Sequence, residues 1–550
     1  MKKIVFISDY FINEIVGGAE LCNDALIEDY LKNKYDVLKI KSVNVTIEFL
    51  KNNKNSLFIV ANYMQLSPHI KEIFAQQDFK YVIYEHDHKY LKSNNPALFN
   101  YFLANEEQIQ NFDFCKKAIA VLCQSKLHTE IVYKNTLLKN IVNLGGNIWS
   151  KYHLNVLEKN IKTENNKTID NCVYDSANQN KGTLQTIEYC KKNNIEFSLI
   201  KNSNYEDFIS NLSNCKRLIF FPTWIETFSR FAVEAKILNC KIKTNNYLGC
   251  ASEGLLRLNG IELLQTIRIR MKNIYNIFSN LIEDKINLLE FYSEKMPRIT
   301  IMCTFVSAEK YIEQYLQQII KQTIFDEIDL FIVDCDSTGR EREIILNYKN
   351  IHKNINYIRI DEVITIPAAF NLIVNKTNNK FISMIQVDDR PSPTYCEILR
   401  KHLFYSLDCE LVYGDCLQTN IANEIFENNT SNFLYEHSLM SFTKENMIKC
   451  LPGPMPMFKK QMLEKNGNFN EDLIYANDWE LWLRCVRGGS KFKKVNTPIG
   501  LYYYNPDGKS TSLKNIKEKM KEEKNIFNEY IDIIGQKNYN MYRQYFNKEE

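Results

Sequence analysis

Three times along this chain, short apolar runs alternate with helical patterns, and few architectures suit a sequence written that way. The first block reads KIVFIS, a helix from about Glu20 to Lys32, SLFIVAN, KYVIYE and AIAVLCQS. Strands separated by helices predict a doubly wound α/β fold with parallel sheets. Residues 150–168, KYHLNVLEKNIKTENNKT in their core, are polar and rich in Asn and Lys, and read as a linker. Alternation resumes with NCVYDS, a helix from about Thr183 to Lys192, EFSLI, RLIFFP and CKIKT, and a helical pattern fills residues 256–296. Pro297 and Arg298 then punctuate, and a third block runs from ITIMCTFV through FIVDCD, NINYIRI, FISMIQVDD and ELVYGD. It ends in a charged helical tail, 513–550, whose alternating signs in KNIKEKMKEEKN predict a solvated helix face. The expected division is therefore 1–160, 161–290, 297–512 and 513–550.

At 550 residues the chain exceeds what one hydrophobic core can organise. Its 69 basic and 66 acidic residues leave a formal charge of +3, so no chain-wide field favours nucleic acid, and none is expected as a partner. The 15 cysteines include no CxxC pair and no zinc spacing, which predicts buried thiols in a reducing compartment. No run of about 18 apolar residues predicts a membrane span. Glycine is scarce, 17 in 550 or about 3 per cent against roughly 7 per cent in ordinary proteins, so each glycine pair carries weight.

Two acidic clusters stand where strands of the third block end: Asp334 with Asp336, and Asp388 with Asp389. Ligands of open α/β sheets bind beyond the carboxyl ends of strands, so both clusters are expected at one crevice. Adjacent carboxylates there repel unless a hard cation lies between them, and Mg2+ takes one or two carboxylates with phosphate oxygens and water. Turn or capping aspartates would explain either pair alone. In order, ITIMCTFVSAEKYIEQYLQQIIKQT, FIVDCDST, AAFNLIV, QVDD, LVYGD, PMFKKQMLEKNGNFNEDL and NDWELWLR resemble the inverting glycosyltransferases of family 2 across about residues 297–512. The resemblance implies a GT-A-like domain with a mostly parallel sheet. It places Asp334 and Asp336 at the nucleotide base and ribose, and Asp388 with Asp389 on a divalent metal (Mg2+ or Mn2+) at the donor diphosphate. It makes Asp478 the catalytic base. Gln386 stands where the family often has the first acid of its Asp-x-Asp, and Ser307 where it often has Asn. A nucleotidyltransferase would want a glycine-rich basic loop where VSAEKY stands.

In the first block, Gly17 and Gly18 precede a helix, where free N–H groups favour anions and missing side chains allow close approach. Farther on, Glu226 and Glu234 lie eight residues apart across the start and middle of a helix, spaced to grip sugar and ribose hydroxyls or simply to face solvent. With YEHDH, VLCQS, NLGGN and NQNKG, these residues resemble glycosyltransferase family 4 over about residues 1–290. That resemblance implies a GT-B-like pair of Rossmann-type domains, 1–160 on the acceptor side and 161–290 on the donor side, needing no metal. It assigns Gly17 and Gly18 to donor binding, Glu226 to the transferred sugar as a catalytic residue, Glu234 to the ribose, Lys181 to the diphosphate and His86 to the sugar side, with His88 an equal candidate. Asp175 lies near the place where the family usually has an arginine that shares the phosphate charge, and a carboxylate there repels a diphosphate.

Together the resemblances imply a bifunctional glycosyltransferase that moves sugars from nucleotide-sugar donors to a glycan or lipid-linked glycan acceptor. The acceptor would be a growing surface chain such as a lipopolysaccharide or capsule, met in the cytoplasm or peripherally at the inner membrane face. In that reading the N-terminal module is retaining. The alternative keeps one active C-terminal module behind a non-catalytic N-terminal binding platform.

Overall fold

The computed structural model describes residues 2–201, 204–431 and 433–546, so the last four residues of the expected tail, 547–550, lie outside the described residues. The chain forms two compact units, Met1–Ala104 with Gln108–Glu294, and Asn105–Glu107 with Lys295–Glu550. Among the described residues no helix is long and apolar enough to cross a membrane.

The N-terminal unit holds two parallel sheets. The first runs Asp36–Lys41, Lys3–Ser8, Leu57–Val60, Tyr81–Tyr84, Val121–Cys123 and Ile141–Asn143. Its strand order reverses beside Lys3–Ser8, and the loop leaving that strand leads to Gly17 and Gly18, so the glycine pair sits by the switch point where such sheets take ligands. The second sheet runs Lys241–Thr244, Cys215–Phe220, Ile169–Asp175 and Ser198–Lys201. Every residue of Leu57–Val60 and Tyr81–Tyr84 is buried, as strands covered on both faces must be.

The stretch read as a linker is largely a helix. Lys151–Lys159 turns His153, Leu154, Val156 and Leu157 inward, and Ser150 caps it by accepting the His153 N–H at 3.2 Å. Its polar composition sits on the outer face, while one buried stripe suffices to dock it. Gly260–Ile282 is a 23-residue helix with nine buried positions, and the helical pattern of 256–296 is broken on either side of it by short 3-10 turns.

The C-terminal unit is built on one mixed sheet, ordered Ile355–Ile360, Ile328–Cys335, Ile299–Phe305, Phe381–Met384, Met457–Lys459, Leu411–Thr419, Phe492–Tyr503 and Arg390–Pro391. The first four strands are parallel, and Met457–Lys459 runs against both of its neighbours. All seven residues of Ile299–Phe305 are buried. The tail differs from the solvated helix expected. Its charged first half is exposed or half-buried, but Ile526, Phe527, Tyr530, Ile533 and Ile534 enter one core cluster with Trp479 and Trp482. The helix Ile516–Glu529 is therefore part of this unit's interior wall.

Candidate functional site

Strands Ile299–Phe305, Ile328–Cys335 and Phe381–Met384 end together at a cleft of about 1180 Å³. Its lining includes Gln386, Asp388, Asp389, His437, Cys450 and Asp478. Asp388 and Asp389 follow the end of Phe381–Met384, in a turn tied by the Asp389 N–H to the Gln386 carbonyl at 3.1 Å. Arg390 fixes that turn from beneath, donating to the Val387 and Asp389 carbonyls at 2.9 and 2.8 Å and to Asn423 Oδ1 at 2.6 Å. The Gln386 side chain turns back to accept the Thr304 N–H at 3.3 Å, bracing one strand end on the next.

Asp389 is buried and, among the described residues, its Oδ1 has no hydrogen-bond partner. Burial, and the Asp388 charge beside it, push its carboxyl well above the usual range. Asp388 Oδ2 accepts a long bond from Asn505 Nδ2, at 3.3 Å. A buried orphan carboxylate oxygen beside a second carboxylate suits a hard cation, which would relieve both burdens at once. Among the described residues no group of three or more His, Cys, Asp or Glu could hold a metal alone, so phosphate and water would have to complete the shell.

Asp334 has no exposed surface. Burial alone would raise its carboxyl, but the Ser337 N–H at 3.0 Å, the Tyr357 hydroxyl at 2.6 Å and Arg359 at 3.0 Å hold it below the ordinary range. Asp336, half-exposed and in the left-handed region at φ 60°, pairs with the same Arg359 at 2.9 Å. From this strand end Cys335 lines the cleft, while the two carboxylates meet at Arg359 beside it.

Asp478 lies in the first turn of the helix Asn477–Arg487, one residue inside the helix start, and Ala476 is the cap. Its Oδ1 accepts the Trp479 N–H at 2.8 Å and its Oδ2 faces the Cys450 thiol at 3.5 Å. Burial raises its pKa, against the pull of these hydrogen bonds and of His437. His437 itself bonds the Cys450 carbonyl through Nδ1 at 2.6 Å and approaches Glu436 at 3.3 Å. Sequence reasoning did not find His437, Glu436, Cys450 or the tail residues Lys519, Phe527 and Tyr542, which also line the cleft. They come from irregular segments and from two helices of the tail, Ile516–Glu529 and Gln536–Phe546, where no spacing marks them.

In the N-terminal unit, Gly17 caps the helix Gly18–Asp29 in extended conformation. A Cβ at Gly17 would lie 2.5 Å from the Glu20 carboxylate, whereas one at Gly18 would meet open space. Lys181 and Glu226 meet at 2.7 Å, and that partner holds the Lys181 pKa up against the burial that would lower it. Gly182, next in the chain, sits at φ +65° with no room for a side chain, since a Cβ would fall 1.9 Å from the Phe221 carbonyl. Glu234 is buried, and its Oε1 takes the Trp149 indole N–H at 2.8 Å and the Tyr205 hydroxyl at 3.2 Å, with Arg230 at 3.7 Å. His86 is held between Asn23 at 2.8 Å and Gln124 at 2.6 Å, and burial drives its pKa to about 3, so it is neutral. His88 is also buried, bonded to Tyr90 at 3.2 Å, with Nε2 unpartnered among the described residues. Asp175 ends its strand with Lys201 at 3.9 Å.

Residues 300–467 match the family model described as glycosyl transferase family 2, and this segment is a glycosyltransferase domain. An uncharacterised glycosyltransferase of Methanocaldococcus jannaschii is 26% identical over 194 residues, 35% of this chain and 65% of that one. The alignment thus spans slightly less than two thirds of that relative. An uncharacterised glycosyltransferase of Haemophilus influenzae is 22% identical over 253 residues, 44% of this chain and 77% of that one. Among solved structures, a mannosyltransferase of Pyrobaculum calidifontis in complex with GDP-Man and Mn2+ aligns at 16% identity and a TM-score of 0.32, covering 39% of this chain and 59% of that one.

Proposed function

We propose that the C-terminal unit transfers a sugar from a nucleotide-sugar donor to a hydroxyl of a growing glycan, free or lipid-linked, with inversion at the anomeric carbon. The observation that carries this reading is the meeting of Asp388 and Asp389, inside the segment that matches the glycosyltransferase family model, with Asp478, just past its end, on one cleft. Asp478 acts as the general base. Its burial makes the carboxylate more basic than a solvated one, which suits it to take the acceptor hydroxyl proton as that oxygen attacks. The new C–O bond forms as the bond from the anomeric carbon to the diphosphate breaks, and the proton stays on Asp478. Asp388 and Asp389 would hold Mg2+ or Mn2+, which would offset charge gathering on the leaving diphosphate. Asp336 is the acid with surface to offer a ribose, while Asp334 keeps Arg359 in place. The experiment is nucleoside diphosphate release by the full chain across a panel of nucleotide sugars, with and without EDTA. Release that EDTA leaves untouched for every donor removes the metal role.

For the N-terminal unit we propose a GT-B-like platform, 1–160 with 161–290, that binds the acceptor without turning over a donor of its own. Glu234 supports this, because the carboxylate meant for a ribose is already engaged by Trp149 and Tyr205. Lys181 paired with Glu226 favours the second reading, an independent N-terminal transfer, since a cation and a carboxylate meet there between the turn before the helix Thr183–Lys192 and the loop before the helix Arg230–Ile237. Assignment of the acceptor to a surface polysaccharide at the cytoplasmic side of a membrane rests on family analogy.

A further inference from the structure

The segment before the helix that carries Asp478 has three successive backbone N–H groups, those of Ile474, Tyr475 and Ala476, all pointing to one carboxylate. Glu522, on the tail helix Ile516–Glu529, accepts them at 2.9, 2.8 and 2.6 Å. These lie at the positive end of the Asn477–Arg487 helix, where free N–H groups and the helix dipole both favour an anion. The tail grips the same helix at two further points. The Tyr530 hydroxyl donates to Glu480 at 2.6 Å, and Arg487 bonds Asp532 while its guanidinium lies 4.1 Å from the Tyr530 ring centre. Ile474, Tyr475, Ala476 and Asp478 all line the cleft, so a shift of this segment moves the carboxylate relative to anything bound there.

We propose that Glu522 is a positioning residue of the transfer reaction, fixing residues 474–476 and through them the place of Asp478 in the cleft. This rests on the reading of Asp478 as general base. Glu522 lies beyond the 300–467 match and outside the lining of the cleft, so it is distinct from the residues proposed for donor and metal. Replacing Glu522 by Gln keeps one acceptor oxygen for Tyr475 and Ala476 but turns an amide donor toward the Ile474 N–H. Replacing it by Ala frees all three.

The test is a double-mutant cycle in the full chain, E522A and E522Q each alone and combined with D478N. Donor turnover is followed as nucleoside diphosphate release from UDP-glucose, UDP-N-acetylglucosamine and GDP-mannose with MnCl2. A donor-free readout is the rate at which iodoacetamide alkylates Cys450, located by mass spectrometry. Burial first, and then the Asp478 carboxylate lying against it, disfavour the Cys450 thiolate, so displacing that carboxylate speeds alkylation. The expected result is a fall in kcat of about 10- to 100-fold for E522A, with donor KM within about twofold, a smaller fall for E522Q, and faster Cys450 alkylation in both. In the D478N background neither substitution should change either readout further. Unaltered alkylation in E522A, or an equal added effect in the D478N background, overturns the positioning role, the latter by showing general loosening. A D478N chain that releases nucleotide at the parent rate instead overturns the base reading, leaving alkylation to judge Glu522.

Discussion

At the scale of single residues, the C-terminal site turns on two kinds of carboxylate. Asp478 is costly to ionise because it is buried, and useful for the same reason. Asp478→Asn should lower transfer by about 10²- to 10⁴-fold while donor binding, read by calorimetry, stays near that of the parent. The same change should stabilise the fold. A carboxyl whose folded pKa is raised contributes stability that is fully present below its unfolded value of about 4 and lost as pH rises through the folded one. Asn keeps the acceptor for the Trp479 N–H without the buried charge, so the variant should melt above the parent at slightly alkaline pH, and the gap should close in acid. Thermal unfolding across pH checks this; a variant that melts lower throughout contradicts it. Asp388→Ala removes one of two candidate metal ligands, and should leave a residual rate that no longer responds to added Mn2+ or to EDTA. Turnover titrated against metal reports the outcome.

At the scale of elements, helices and loops bring distant residues to the site. Tyr530→Phe deletes one hydroxyl bonded to a buried carboxylate, and should lower stability by on the order of 1.5–3 kcal/mol, measured by denaturant unfolding. Gly182→Ala forces a side chain into the Phe221 carbonyl at a left-handed position, and should lower stability of the N-terminal unit by at least about 2 kcal/mol, visible as an earlier melting step. What the sequence disclosed follows from how elements are written. The helix read over Thr183–Lys192 runs over those residues, because its apolar spacing is regular and Gly182 marks its start. Asp388, Asp389 and Asp478 stood out because strand ends and helix starts carry them in a recognisable order. His437 and Cys450 did not, since the chain from 420 to 456 lacks periodicity and its contacts are made only by the fold. The polar stretch 151–159 misled for the opposite reason: its lysines and asparagines hide a narrow apolar stripe. The engagement of Glu234 by Trp149, 85 positions away, could not be read from an eight-residue spacing.

At the scale of the whole chain, the question is which unit turns over a donor. Glu226→Ala should leave nucleotide release by the full chain unchanged if the N-terminal unit is a platform, whereas Asp388→Ala should remove nearly all of it. Loss of one donor's turnover on Glu226→Ala, with the rest intact, would instead establish a second centre. Both variants assayed over the same panel of nucleotide sugars decide the matter, because each unit then serves as the other's control.

The burial of Ile526, Phe527, Tyr530, Ile533 and Ile534 also governs how this protein can be made. A ribosome adds about 5–20 residues per second, and N-terminal domains generally fold first during synthesis. The sheet that follows in the second unit cannot complete its core on emergence, because Phe527, Tyr530 and Ile534, which belong to the same core cluster as Trp479, are still to be translated. Until they clear the exit tunnel, the face of Trp479 that meets Phe527 stays open to chaperones. A message truncated just before codon 526 should therefore give a product that is captured and degraded, rather than a shorter enzyme of reduced activity.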